Sequence, residues 1–264
     1  MRERAFNLFK EGQYNDALTI FHSVIKADPG DWNSVYLAGQ CCRYLDDIDG
    51  AIKYLLEATR INPNEPPMWL ALGIAYQLKE NWGDAIGALR EALEIDPDYV
   101  LAFNSLALTQ KKMGELEKSA HNYDAGVIAL SRSIVESMIN AFDNQIFSHR
   151  GSTNNLWMEY ATHAAVHLAT SDGNIESIAM PTGETAVEED RTHRHGGLYW
   201  VDQKGADENL NRYFLPNFFN AFHRSLRRER LYSQLIANRG AVLELMGNSE
   251  ESQSHFQEAE DFSS

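Results

Sequence analysis

Along the first half of the chain, apolar and small residues recur at three- and four-residue steps, the spacing of one face of an α-helix. Between Met68 and Pro97 the run Trp69-Leu70-Ala71-Leu72-Gly73-Ile74-Ala75-Tyr76 is followed by Ala85, Leu89 and Ala92. Trp69, Leu72 and Tyr76 make one stripe, and Ala85, Leu89 and Ala92 make another, so the segment predicts two antiparallel helices. Gly73 removes the side chain that would hold their backbones apart. Pro97 has no amide hydrogen to continue the second helix and ends it.

The same pattern recurs at a fixed period. Pro29, Pro63 and Pro97 stand 34 residues apart. One period earlier, Gly73 maps onto Gly39, Leu89 onto Leu55 and Ala92 onto Ala58; Ala85 maps onto Ala51 and then Ala17. One period later come Phe103, Leu106, Ala107, Tyr123 and Gly126, with Ser131 in place of the closing proline. A degenerate copy near the C-terminus reads Ile236, Gly240, Leu243, Gly247, Phe256 and Ala259, with Gly247 in the column of Gly12 and Gly114. The pattern resembles the tetratricopeptide repeat, a helix-turn-helix unit with the signature W-x2-L-G-x2-Y, a later A-x3-F and a final Pro. Leu89 stands where that signature has Phe. The resemblance implies an all-α fold, a tetratricopeptide-repeat right-handed superhelix of antiparallel helix pairs.

Three regions are expected. Residues 1–130 form an array of four repeats, the first one partial. Residues 131–232 form a helical insertion. In it the apolar positions Ile134, Met138, Phe142 and Ile146 lengthen the second helix of repeat four to about His149, and Trp157, Tyr160, Ala164 and Leu168 mark a further helix. A loop over 174–205 carries the β-like run Leu198-Tyr199-Trp200-Val201, and helical spacing returns at Leu210, Phe214, Phe218, Phe222 and Leu226, with a kink at Pro216. Residues 233–264 form the degenerate repeat and cap the array.

Charge narrows the partners. The formal net charge is −15 and the isoelectric point is near 5.0, which argues against nucleic acid or an anionic membrane surface as ligand. The acidity is evenly spread, with 12 basic and 19 acidic residues up to Leu130. Cys41 and Cys42 are adjacent in a helix, where their geometry disfavours a bond between them, so no disulfide framework is expected. The N-terminal residues enter an amphipathic helix directly, and no stretch has the length and apolarity of a membrane span. A soluble, cytoplasmic protein is the expectation.

In the family the chain resembles, the first helix of each repeat lines a concave face that binds an extended peptide or a partner helix. The corresponding positions here are Phe6 and Phe9; Tyr36, Leu37, Gln40 and Tyr44; Leu70, Ile74, Gln77 and Leu78; and Asn104, Ser105, Leu108, Lys111 and Lys112. Apolar and aromatic anchors beside adaptable amides suit recognition of a peptide or helix. The alternative is that these residues meet the chain's own insertion, since a groove this apolar is poorly suited to water. Family members that clamp the C-terminal carboxylate of heat-shock chaperones carry Lys, Asn and Arg at set inner positions. This chain has Tyr36, Gln40, Ala71, Leu101 and Ser105 there, or Arg2, Phe6, Leu37, Pro67 and Ala71 in the other register, so chaperone-tail binding is not expected.

One constellation has metal-ligand character. Glu159, His163 and His167 recur at four-residue steps, and His193 and His195 lie two apart; imidazoles one turn apart suit zinc or iron(II). Histidines that face solvent or flank a core account for the same spacing. A basic run, His223, Arg224, Arg227, Arg228 and Arg230, fits either a solvated face or a site for an acidic peptide or phosphate. No phosphate-cradling glycine loop, nucleophile elbow or Cys-His pair at useful spacing is present. The expected function is an interaction scaffold or adaptor with a protein or peptide partner, and no cofactor. The alternatives are a metal-dependent enzyme with its site in the insertion, or a self-associating protein whose groove the insertion fills.

Overall fold

The computed structural model describes residues 1–146, 225 and 229–261. Within them the chain is entirely helical, with ten helices: α1 (Arg2–Lys10), α2 (Tyr14–Ala27), α3 (Trp32–Tyr44), α4 (Ile48–Ile61), α5 (Pro66–Leu78), α6 (Trp82–Ile95), α7 (Val100–Lys112), α8 (Leu116–Ile146), α9 (Arg230–Leu245) and α10 (Ser249–Asp261). Two compact units result, Met1–Gly126 and Val127–Ser264, and the division falls inside α8.

Several helices start or stop for a visible local reason. Asp47 and Asn81 cap α4 and α6 by accepting the amide hydrogens of Gly50 and Asp84, which satisfies donors that the first turn leaves unpaired. Glu65 precedes the two prolines that open α5, where a missing amide hydrogen has no cost. At the far end of each second helix, Asp28, Asn62 and Asp96 accept from the backbone two residues on, at 3.3, 3.3 and 3.1 Å. These side-chain turns flank Pro29, Pro63 and Pro97, so turn chemistry as well as apolar spacing repeats along the array.

The helices pair in sequence, each packing on the next from α1 to α7, and the pairs then stack. Leu55 and Leu89, both fully buried, are the pivots of the second and third pairs. A Cβ at Gly39 would lie 2.9 Å from Leu55 Cγ, and one at Gly73 would lie 2.7 Å from Leu89 Cγ. The two glycines are therefore required by close approach. Between pairs, Cys42, Leu55, Leu72, Ala75 and Ala88 form one continuous apolar layer, and Ala5, Phe21, Leu37, Ala38 and Cys41 form the layer before it. Trp69 is half-buried and donates from its indole to the Pro63 carbonyl at 2.7 Å, tying the signature aromatic to the preceding turn. In the fourth pair, Ser119 Oγ donates to the Ala107 carbonyl at 2.7 Å and Asn122 to Gln110 at 2.6 Å, holding α8 on α7. This stacking of antiparallel pairs is the tetratricopeptide-repeat superhelix expected from the sequence. α8 then continues unbroken to Ile146, the long helix that the apolar spacing predicts.

The turn inside each pair has one recurrent strained position. Gly12, Asp46, Glu80 and Gly114 occupy the same column and have φ of 78°, 62°, 58° and 79°. A left-handed conformation costs an L residue about 1–2 kcal/mol, whereas glycine adopts it freely but loses more freedom on folding, about 0.5–1 kcal/mol. Glu80→Gly is thus expected to stabilise the first unit by about 0.5–1 kcal/mol. A raised denaturant midpoint in circular dichroism would show it, and a lowered one would contradict it.

In the second unit α9 and α10 form another antiparallel pair. Tyr232 donates to Glu258 at 2.6 Å, and Ser233 to the Ala259 carbonyl at 3.1 Å. A Cβ at Gly240 would meet the Phe256 ring at 3.3 Å, and Gly247 has φ 85°. Both features resemble those of the array's own pairs. The expected loop over 174–205, its β-like run, the helix marked by Trp157 and Leu168 and the kinked helix at Pro216 lie outside the described residues.

Candidate functional site

First helices of neighbouring repeats touch one another: α1 meets α3, α3 meets α5 and α5 meets α7, while α2–α4 and α4–α6 approach less closely. The first helices are therefore the inner layer of the curve, and their unpacked faces form its concave wall. Repeat-equivalent positions on that wall make four columns: Arg2, Tyr36, Leu70, Asn104; Phe6, Gln40, Ile74, Leu108; Phe9, Arg43, Gln77, Lys111; and Lys10, Tyr44, Leu78, Lys112.

Burial divides the expected groove residues into floor and surface. Leu37, Gln40 and Leu70 keep less than a tenth of their surface, packed by neighbouring helices of the same chain, so they form the floor and are not free contacts. Phe9, Tyr36, Ile74, Gln77, Asn104, Ser105 and Lys111 are half-buried. Phe6, Tyr44, Leu78 and Leu108 stay 39, 50, 54 and 43 % exposed, and Lys112 is exposed as well. Gln77 is committed to the wall, donating to the Ser105 carbonyl at 2.8 Å and to Thr109 Oγ1 at 2.6 Å across the α5–α7 seam.

Aromatic groups cluster at one end of this wall. Tyr14 and Tyr44 stack at 4.5 Å between centroids, and Phe9 packs edge-on to both. The Arg43 guanidinium lies 4.3 Å from the Tyr44 ring centroid and donates to Gln40 at 2.9 Å, and Lys10 sits 4.4 Å from the Phe6 ring centroid. Burial raises the Tyr36 phenol above its ordinary value, opposed more weakly by Gln40 and Arg43. Tyr99 is raised as well, first by burial and then by the neighbouring Tyr36. Tyr14, Arg43 and Tyr99 are the contributors absent from the sequence-based set. Tyr99 precedes α7 and Tyr14 opens a second helix, so helical periodicity on the first helices could not point to either. Arg43 shares its column with the expected Gln77 and Lys111, and that column was the signal for it.

The paired cysteines are structural. Cys41 and Cys42 are free and fully buried in the layers on either side of α3. Burial, the largest cause, pushes their thiols up to about 12 and about 11. Cys42 thus behaves as a small buried hydrophobe, in the column where neighbouring repeats have Leu8 and Tyr76. Among the described residues no group of three or more His, Cys, Asp or Glu is arranged to hold a metal. The candidates Glu159, His163, His167, His193 and His195 lie outside those residues, as does the basic run except Arg230. Among the described residues no helix is long and apolar enough to cross a membrane.

Two family profiles, both for the tetratricopeptide repeat, match residues 8–73 and 66–99. An N-terminal acetyltransferase A complex subunit-like protein of Schizosaccharomyces pombe is 27 % identical over 122 residues, which are 46 % of this chain and 18 % of that protein. The peroxisomal targeting signal receptor of Saccharomyces cerevisiae is 28 % identical over 108 residues, 38 % of this chain and 18 % of the receptor. The matches thus span less than a quarter of these relatives. Among solved structures, MamA residues 41 to the end from Desulfovibrio magneticus RS-1 align with a TM-score of 0.46 at 21 % identity, covering 47 % of this chain and 71 % of that one. With its signature residues, its 34-residue period and its stacked antiparallel pairs, the first unit carries tetratricopeptide repeats, and residues 8–99 match the profiles of that repeat.

Proposed function

We propose that this protein is an interaction scaffold whose concave wall holds a peptide or a partner helix. The carrying observation is the set Phe6, Tyr44, Leu78 and Leu108, large apolar side chains left 39–54 % exposed in two neighbouring columns on the inner face of the four first helices. Scattered exposed apolar residues are ordinary, but a repeated row of them along a concave surface marks a contact site. The floor beneath is held by the α5–α7 hydrogen bonds of Gln77, so the surface is preorganised and little ordering entropy is lost on binding. The yeast relative is named as a receptor for a targeting signal, which is in keeping with peptide recognition by such repeats. Two buried free cysteines accord with a reducing, cytoplasmic compartment.

The test is selection of displayed peptides on the full chain. Tyr44→Ala, Leu78→Ala and Leu108→Ala combined are expected to weaken the selected peptides by more than about tenfold, each truncated anchor being worth about 1–2 kcal/mol. Leu56→Ala, an exposed apolar residue on a second helix, should leave them unchanged. Equal loss in both variants would overturn the assignment of the wall.

A further inference from the structure

The concave wall is distinguished by charge as much as by apolar surface. Its columns hold Arg2, Lys10, Arg43, Lys111 and Lys112, while the column beside them, Glu3, Leu37, Ala71 and Ser105, contributes the wall's one carboxylate. Up to Gly126 the chain has 19 acidic and 12 basic residues, so 18 of the 19 carboxylates lie elsewhere, in turns, at helix ends and on the second helices. An acidic protein has thus cleared acid from one face and placed cations there.

Four of those five cations lack a carboxylate partner among the described residues. Arg2 is taken up by Asp28 and Asp31 at 2.8 and 2.6 Å, and away from the wall Arg60, Lys79 and Lys118 have carboxylate partners. Among the described residues Lys10, Arg43, Lys111 and Lys112 have none: Lys10 lies over Phe6, and Arg43 lies over Tyr44 and bonds Gln40. Each stands beside an exposed apolar side chain of the row, Phe6, Tyr44 or Leu108.

Resting on the groove reading above, we infer that the partner is an acidic segment of another protein carrying bulky aromatic or apolar anchors. Its Asp and Glu side chains meet Lys10, Arg43, Lys111 and Lys112, while its anchors seat between Phe6, Tyr44, Leu78 and Leu108. Complementary charge of this kind raises the association rate and rejects basic competitors, and the half-dehydrated Arg43 on its ring contributes more than a fully solvated cation does. The mode differs from capture of a chain-terminal carboxylate, because the columns that would grip one hold Tyr36, Gln40, Ala71, Leu101 and Ser105. A second copy of this chain is disfavoured as occupant by the mutual repulsion of two bodies at −15 each.

The probe is a fluorescein-labelled copolymer of Glu and Tyr, titrated with the full chain in fluorescence anisotropy against a Lys–Tyr copolymer and a neutral Ser–Tyr peptide. The expected result is binding of the Glu–Tyr copolymer alone, weakened severalfold by raising salt through the physiological range. Lys10→Glu, Arg43→Glu, Lys111→Glu and Lys112→Glu together should weaken it at least about tenfold. Lys111→Glu with Lys112→Glu, which disturbs no recorded bond, should give a smaller loss of the same sign. Lys26→Glu, Lys53→Glu and Arg90→Glu, on second helices, should have no effect, with helicity checked by circular dichroism. No binding of the Glu–Tyr copolymer, or binding insensitive to the wall reversals, overturns the inference. So does self-association in sedimentation velocity that the wall reversals abolish, since the occupant is then a second copy. If the Ser–Tyr peptide binds through Tyr44 and Leu78 regardless of the reversals, the acidic partner is wrong and the groove reading stands.

Discussion

Gly73→Ala is expected to destabilise the first unit by about 1–3 kcal/mol, although alanine is the better helix former by about 1 kcal/mol. The two effects oppose each other, and the contact geometry decides between them. An added methyl would lie 2.7 Å from Leu89 Cγ, 2.9 Å from its Cδ2 and 3.4 Å from the Ala85 carbonyl oxygen. Leu89 cannot swing away, being fully buried between Leu70 and Leu106 of the neighbouring first helices. Relief requires the α5–α6 pair to spread, and every later pair is built on it. At Gly83 and Gly87, where a Cβ would meet nothing within 4 Å, the same exchange should stabilise instead. A double variant, Gly73→Ala with Leu89→Ala, checks the cause. If the clash is responsible, the two changes are non-additive, because the new methyl enters space that the shortened side chain vacates. Denaturant unfolding followed at 222 nm reads all of these, and additivity within error would sink the steric account.

Cys41 and Cys42 should resist labelling by Ellman's reagent in the native protein by orders of magnitude. With the Cys41 thiol raised from 9.0 to about 12, its thiolate fraction at pH 8 falls by a factor on the order of 10³, before access is considered. Labelling then proceeds only through opening of the helix stack, so its rate reports local unfolding and should jump in denaturant. Fast native labelling would show that α3 is not packed on both sides. The same shifts set a pH dependence. A thiol whose folded value is raised favours the folded state fully below its ordinary value, and the benefit is lost as pH rises through the folded one. Stability should hold to about pH 9 and fall between 9 and 12, by about 1.4 kcal/mol per pH unit for each buried group titrating only in the unfolded chain. Tyr123, fully buried and raised from 10.0 to about 12, adds to the upper part of that window.

Much of the array was legible because its information is local and repeated. The proline step, the glycine and alanine columns and the apolar stripes each predict the element in which they are found, and four copies reinforce one another. Gly73 and Gly39 were readable as contact points for the same reason: a small residue recurring on a packing stripe has little purpose except approach. The left-handed turn was legible only in part. Gly12, Gly114 and Gly247 announce it, but Asp46 and Glu80 adopt it without any composition signal, held by the helices on either side.

The candidate site was legible as columns but not as a surface. The family resemblance implied fifteen residues for the inner wall, and it could not rank them, since whether a wall residue is floor or surface depends on how closely the next helix packs. Leu37 and Leu78 look alike in the sequence; one is covered by the first repeat and the other is open. Sequence by itself determined the period, the helix pairs, the close-contact glycines and the excess of acid over base, because each of these is a property of residue order and spacing. Only the tertiary structure decided which inner side chains remain exposed, which cations go without a carboxylate, and how Tyr14 and Tyr99 join the wall, because each is set by distances between segments about thirty or more residues apart, which no local pattern encodes.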